Sequence, residues 1–247
     1  MTHFPVVELD STLDASWYDQ KLTLQIVNVL AYFICLSMNW VYPLVAPNSL
    51  SFIADDIATA ISPDGWAFSI WLYIYILIGV FVTYQALPSE WVPNRNDELI
   101  YYDIGYLFAV NMIINGVWLV VYQIYTEWSL IAGVPIIGWL LSTGLYILMK
   151  STRTSVSVTE WIGLRAGFSI YTGWVTAATI LNVTFMLKNQ GFVDPTIPWV
   201  TEEQLAMGVL CIAFVIYNAA SYIELNPLFG SIFVWVLLAI RSDIMKN

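Results

Sequence analysis

Charge is what this 247-residue chain has least of: 11% of its residues are Asp, Glu, Lys or Arg, against 59% hydrophobic. Soluble domains carry about 25% charged and roughly 45–50% apolar residues, so a water-soluble fold is excluded. Basic residues are scarcest, with eight Lys and Arg against 18 Asp and Glu and a net charge of −10. They form no cluster that could neutralise phosphates, so nucleic acid is excluded as a partner. The carboxylates fall in tails, loops and helix ends, where acidity reads as solvated surface. The single histidine, His3, stands near the N-terminus. A bis-histidine haem site and a histidine proton relay inside a membrane are therefore both excluded.

Two cysteines, Cys35 and Cys211, are too few for a disulfide framework and have no zinc-ligand spacing. Each sits in an apolar run and reads as a small packing residue. The runs also lack a carboxylate pair, a Ser/His/Asp set and a metal cluster, so the reading is non-enzymatic and without a metal. The lack of mid-membrane carboxylates argues against an ion-coupled pump. A retinal protein needs a lysine in its last helix, and residues 226–240 contain none. No internal repeat of the sugar-transporter kind is evident. The opening MTHFPVVELDSTLDASWYDQK has neither a basic n-region nor Arg-rich transit character, so targeting is expected to use internal spans.

What the chain does have is long hydrophobic runs. About 20 apolar residues cross a hydrocarbon core of about 30 Å. The pattern predicts an all-α membrane bundle of about seven spans, at 22–45, 66–87, 104–126, 129–149, 162–187, 204–223 and 226–241. The last is the shortest and is expected to tilt, draw on its flanks or re-enter. The organisation reads as an acidic tail (1–21), a five-helix tryptophan-rich core (22–187) and an additional C-terminal hairpin (188–247). Ser62-Pro63 reads as a helix N-cap followed by proline at the first helical position. Thr201 through Gln204 fits a capping box. Pro43, Pro47, Pro88, Pro93, Pro195 and Pro198 mark loops, and Pro135 predicts a kink in the fourth span. Seven spans place Lys21, Arg95, Lys150 and Arg153 on one side and Lys188, Arg241 and Lys246 on the other. Positive-inside reasoning then puts the N-terminus on the cytoplasmic or matrix side.

Inside the spans, helical spacing aligns Asn28, Tyr32, Cys35 and Asn39; Asn111, Asn115, Trp118 and Tyr122; and Tyr171, Trp174, Ala178 and Asn182. An amide in hydrocarbon needs a partner, so these stripes should face the bundle interior. Two readings stand open: interhelical glue, or an aromatic-walled pocket with a few amide donors and acceptors. Trp17, Trp40, Tyr42, Trp91, Trp128 and Trp199 suit an interfacial belt, whereas Trp71, Trp118 and Trp174 lie deeper. Arg165 is shallow and is expected to snorkel, with Glu160 as partner. Gly163 and Gly167 form a GxxxG pair compatible with close helix contact. The Asn182-Val183-Thr184 sequon lies mid-span, out of reach of glycosylation.

The run from Pro63 through Trp66, Trp71 and Tyr75 to Gly79 resembles the second-helix signature of the translocator protein (peripheral benzodiazepine receptor) and tryptophan-rich sensory protein family. Asn111 to Trp118 resembles its third-helix motif and Tyr171 to Asn182 its fifth, in the right order. The resemblance covers roughly residues 22–187, and the last two spans look like those of longer relatives. It implies a five-helix core enclosing a pocket that opens toward residues 46–65. It further implies that Trp66, Trp71, Tyr75, Asn115, Trp118, Tyr171, Trp174, Ala178 and Asn182 line or support that pocket. The chain departs from the family in a Trp66-to-Trp71 interval one residue shorter than in compact members. Ile170 stands where a proline usually precedes the fifth-helix tyrosine. The fifth helix ends Phe185-Met186-Leu187-Lys188, without the tyrosine of the sterol pattern, although Leu141, Tyr146 and Lys150 match such a pattern elsewhere.

Two functions follow as expectations. One is a receptor, sensor or carrier binding a flat hydrophobic molecule such as a porphyrin, with no covalent cofactor and with porphyrin or lipid as the ligand. The other is a non-catalytic accessory subunit of a larger membrane complex, for which a mitochondrial respiratory assembly is one setting. The family links the chain to a mitochondrial membrane in a eukaryote, and to porphyrin breakdown, a chemistry these residues do not independently suggest. The partners are the bilayer, a hydrophobic small molecule and either a second copy or other subunits.

Overall fold

In the computed structural model, residues 11–57, 59–192, 201–223 and 226–246 are described. Pro195, Pro198, Trp199, His3 and the side chain of Trp17 lie outside that description.

The helices are α1 (Ser11–Trp40), α2 (Leu50–Asp56), α3 (Ile70–Ala86), α4 (Leu107–Ile124), α5 (Glu127–Thr152), α6 (Val158–Glu160), α7 (Gly167–Asn189), α8 (Glu202–Ile223) and α9 (Pro227–Ile244). A 3₁₀ turn (Gly65–Ser69) leads into α3, and a π-helical stretch (Trp161–Ala166) joins α6 to α7. Among the described residues, seven segments are long and apolar enough to span a membrane. The chain is an all-α polytopic bundle. The last span exceeds its apolar run: α9 has 18 residues, about 27 Å at 1.5 Å per residue, because its polar last turn continues the helix.

Five spans close a ring in the order α1, α4, α5, α7, α3, with α3 also packing on the π-helical stretch. The additional hairpin lies outside the ring: α9 packs on α7, and α8 mainly on α9. Helix α7 therefore has neighbours on nearly every side, whereas α8 buries only Ala213 and Tyr217. Lipid is as apolar as leucine, so these helices associate through close packing and hydrogen bonds rather than through a hydrophobic drive. Glycines permit the closest approaches. A Cβ on Gly163 would lie 2.5 Å from the backbone nitrogen of Phe81, and one on Gly173 would lie 2.8 Å from Ile232. The GxxxG pair thus packs against α3, where Gly167 faces Leu77.

The helix ends correct two expectations and fulfil one. Ser62 does not cap the second span; its hydroxyl accepts from the Thr59 N–H, and Asp64 occupies the capping position. Thr201 and Gln204 do form the reciprocal capping box. Arg165 does not pair with Glu160. Its guanidinium donates to the carbonyls of Ser151 and Thr154 at the open end of α5, satisfying acceptors that helix geometry leaves free. Glu160 is buried and accepts instead from the Ser157 and Asn96 N–H groups. Cys35 is buried as expected, but Cys211 lies on the exposed face of α8. Trp40, Trp91 and Trp128 are exposed at span ends, as belt residues should be.

The N-terminal end of the bundle is held by ions. Lys21 and Arg95 both bind Asp97, and Lys150 binds Asp103. Burial pushes the Asp97 carboxyl up, but Arg95 and Lys21 outweigh it and hold the group below the usual carboxylate range.

Candidate functional site

The polar stripes meet inside the ring, as their spacing requires. Asn115 is the hub. Its Oδ1 accepts from Asn39 Nδ2 (3.0 Å), the Tyr75 hydroxyl (3.2 Å) and Cys35 Sγ (3.4 Å), and its Nδ2 donates to the Tyr171 hydroxyl (3.2 Å). One residue thereby ties α1, α3, α4 and α7. One turn away, Asn111 donates to Leu140 O and Thr143 Oγ1 of α5. The amides act as interhelical bonds here.

On the side of this network away from the N-terminus lies an aromatic cavity. Trp71 of α3, Trp118 and Tyr122 of α4, and Trp174, Ala178, Leu181, Asn182 and Phe185 of α7 form its walls, together with Phe68. Helix α2 covers it with Leu50 and Ala54. Trp71 meets Trp174 edge-on at 6.4 Å and stacks on Tyr75 at 5.5 Å, while Trp118 stacks on Tyr122 at 5.6 Å. Edge and offset contacts of this kind suit the ring quadrupoles. Trp118 Nε1 donates to Asn182 Oδ1 at 3.1 Å, and Asn182 Nδ2 donates to Ala178 O. Trp174 is 2% exposed, and its Nε1 has no hydrogen-bond partner among the described residues.

Of the nine residues singled out in the sequence, Trp71, Trp118, Trp174, Ala178 and Asn182 line this cavity. Tyr75, Asn115 and Tyr171 form the hydrogen-bonded layer beneath it. Trp66 goes elsewhere: its ring packs edge-on against Trp235 of α9 at 4.8 Å. The 3₁₀ turn explains this, since Phe68, three residues before Trp71, takes the inward place and meets Trp174 at 5.7 Å. Leu50 and Ala54 had a legible i, i+4 spacing, but in a stretch read as loop.

The C-terminal hairpin fixes the segment between α2 and α3. The Asp64 N–H donates to Ala239 O, its carboxylate accepts from Ser242 and pairs with Lys246, and Trp235 Nε1 donates to Ala67 O. Glu202 at the start of α8 accepts from the Ala60 N–H. At the other end Tyr217 donates to Gly173 O, and Asn226 donates to Ser169 Oγ. Within the cover, Asp56 accepts from the Tyr125 hydroxyl, which burial and that carboxylate push up to about 12, so the phenol stays protonated.

Lys246, with Ser242, holds the Asp64 carboxyl below the usual carboxylate range. A lowered folded-state value means stability present above the unfolded value of about 4 and lost as pH falls through the folded value. Asp64→Asn should therefore melt below wild type at pH 7, and the difference should shrink as pH falls below about 4. Thermal unfolding of both proteins across that pH range checks this.

The model of the TSPO-like protein family matches residues 25–246, nearly the whole chain including the additional hairpin, and the chain belongs to that family. No curated protein and no solved structure matches it.

Proposed function

We propose that this TSPO-like protein is a non-catalytic membrane receptor or carrier for a flat hydrophobic molecule, porphyrin-like in shape, bound in the aromatic cavity. The observation that carries the reading is the convergence of Trp71, Trp118 and Trp174 from three helices on one covered space. Aromatic faces stack on a flat ligand, and a few fixed polar groups orient it. The free volume in this state is about 30 Å³, room for a water molecule or so, whereas drug-sized sites run to roughly 300–1,000 Å³. Binding therefore requires α2 to lift and the rings to part. The contacts of Ala60 and Asp64 with the hairpin tether the segment that follows α2.

A second reading keeps one specific observation: the face of α8 turned away from α9 is uncovered, including Ile212, Phe214 and Val215. An accessory subunit docked through α8 in a larger complex, in a mitochondrial membrane among other settings, would use that face and leave the cavity closed.

Titration of the protein in nanodiscs with protoporphyrin IX, followed by porphyrin absorbance, separates the two. Wild type should bind saturably in the micromolar range. A Trp118→Ala, Trp174→Ala variant with unchanged circular dichroism should bind at least about tenfold more weakly, since each ring contact contributes about 0.5–1.5 kcal/mol beyond its area. Equal binding by both proteins, or no binding of the porphyrin or its uncharged dimethyl ester above empty nanodiscs, would favour the subunit reading.

A further inference from the structure

The walls and cover of the cavity also carry information about ligand charge, and this inference rests on the cavity being a ligand site. No Lys or Arg is among its lining residues. None occurs anywhere between Lys21 and Arg95, a stretch containing α2, the rest of the cover and all of α3. The α2 cover carries Asp56, and Asp64 stands between α2 and α3. At this end of the bundle Lys246 is engaged with Asp64 and Lys188 with Glu202, while Arg241 stands exposed on α9 and is not among the cavity lining. An anionic group entering here would lose its water, meet no cation on the cavity wall and pass the Asp56 carboxylate of α2. Burying an unpaired charge is among the costliest changes a site can undergo.

The donors are as informative as the charges. Of the two deep indoles, Trp118 spends its N–H on Asn182. The Trp174 N–H, buried in a ring that lines the cavity, meets no acceptor among the described residues. A buried donor without a partner carries a desolvation penalty that a ligand acceptor would relieve.

We infer that the cavity takes an uncharged flat ligand bearing a hydrogen-bond acceptor for the Trp174 N–H, and discriminates against the free carboxylates of a dicarboxylic porphyrin. The ring of such a porphyrin suits the aromatic walls, but its ionised side chains do not suit the cover. Leu50 on α2 is the position where charge preference can be inverted, because it faces the cavity while remaining partly exposed.

The test compares protoporphyrin IX with its dimethyl ester, the same ring without the charges, in phosphatidylcholine nanodiscs, counting only saturable binding above empty discs. The ester should bind wild type at least tenfold more tightly than the acid. Leu50→Lys should bring the acid up about tenfold relative to Leu50→Gln, with the ester unmoved; this ratio is insensitive to how each porphyrin partitions into lipid. Trp174→Phe, which keeps the ring and removes the N–H, should weaken the ester about two- to tenfold, the range for one hydrogen bond. Acid bound as tightly as ester by wild type, or a gap unmoved by Leu50→Lys, would overturn the charge assignment while leaving the cavity itself standing. Saturable binding of neither porphyrin would remove the site and the assignment together.

Discussion

Asn115→Ala should destabilise the bundle by about 2–4 kcal/mol. The side chain accepts from α1 and α3 and donates to α7 while sitting on α4, and it is wholly buried. Truncation leaves the Tyr75 hydroxyl without its amide acceptor, and the Tyr171 oxygen and an Asn39 N–H without their partners. Each orphaned buried group costs about 1–3 kcal/mol. Single interhelical bonds in membranes average about 0.6 kcal/mol, because the separated helices find other partners, so the sum falls below three full penalties. Asn39 softens the loss further, since its Nδ2 also donates to Cys35 O. Reversible unfolding in mixed micelles measures the change, with Ser142→Ala as control, because that hydroxyl bonds only its own helix at Gly138 and is exposed. A loss no greater than the control's would mean that the network is not what joins the four helices.

Gly163→Ala should cost about 1–3 kcal/mol, the range for forcing extra atoms into a packed interior, and Gly163→Leu should prevent assembly. The new Cβ would sit 2.5 Å from Phe81 N and 2.9 Å from Phe81 Cα. Those atoms belong to the backbone of α3 and cannot swing aside as a side-chain tip could. Relief requires α3 and the π-helical stretch to separate, which would also disturb Trp71 on α3. Gly138→Ala provides the contrast: its Cβ would meet nothing within 4 Å, and helix propensity favours the alanine by about 1 kcal/mol. Unfolding of the two variants side by side should give opposite signs. Equal behaviour would contradict the close approach.

The spans were legible because hydrocarbon demands unbroken apolar length, and the interior stripes because an amide in lipid must find a partner. Asn115, Trp118, Tyr171, Trp174 and Asn182 fell on those stripes and do meet. Other features depended on relations that helical spacing does not encode. The turn geometry at Gly65–Ser69 decided that Phe68 rather than Trp66 faces the cavity. Arg165 found carbonyls rather than a carboxylate because the end of α5 packs beside it, a long-range contact invisible in local pattern. Similarly, α2 is only seven residues long, too short to stand out by periodicity from the loop around it. The hairpin's hold on Asp64 joins positions 178 residues apart, and no single-sequence signal announces it.

The most direct test of the central claim is where a bound ligand leaves its mark. Hydrogen exchange of the protein in nanodiscs, with and without a saturating flat porphyrin, should change in α2 and the cover around Asp64, and little in the exposed α8. Slowed or altered exchange confined to α2 and the cover, and lost in the Trp118→Ala, Trp174→Ala variant, is the predicted result. Changes confined to α8, or the same change in wild type and variant, would contradict a ligand site beneath the cover.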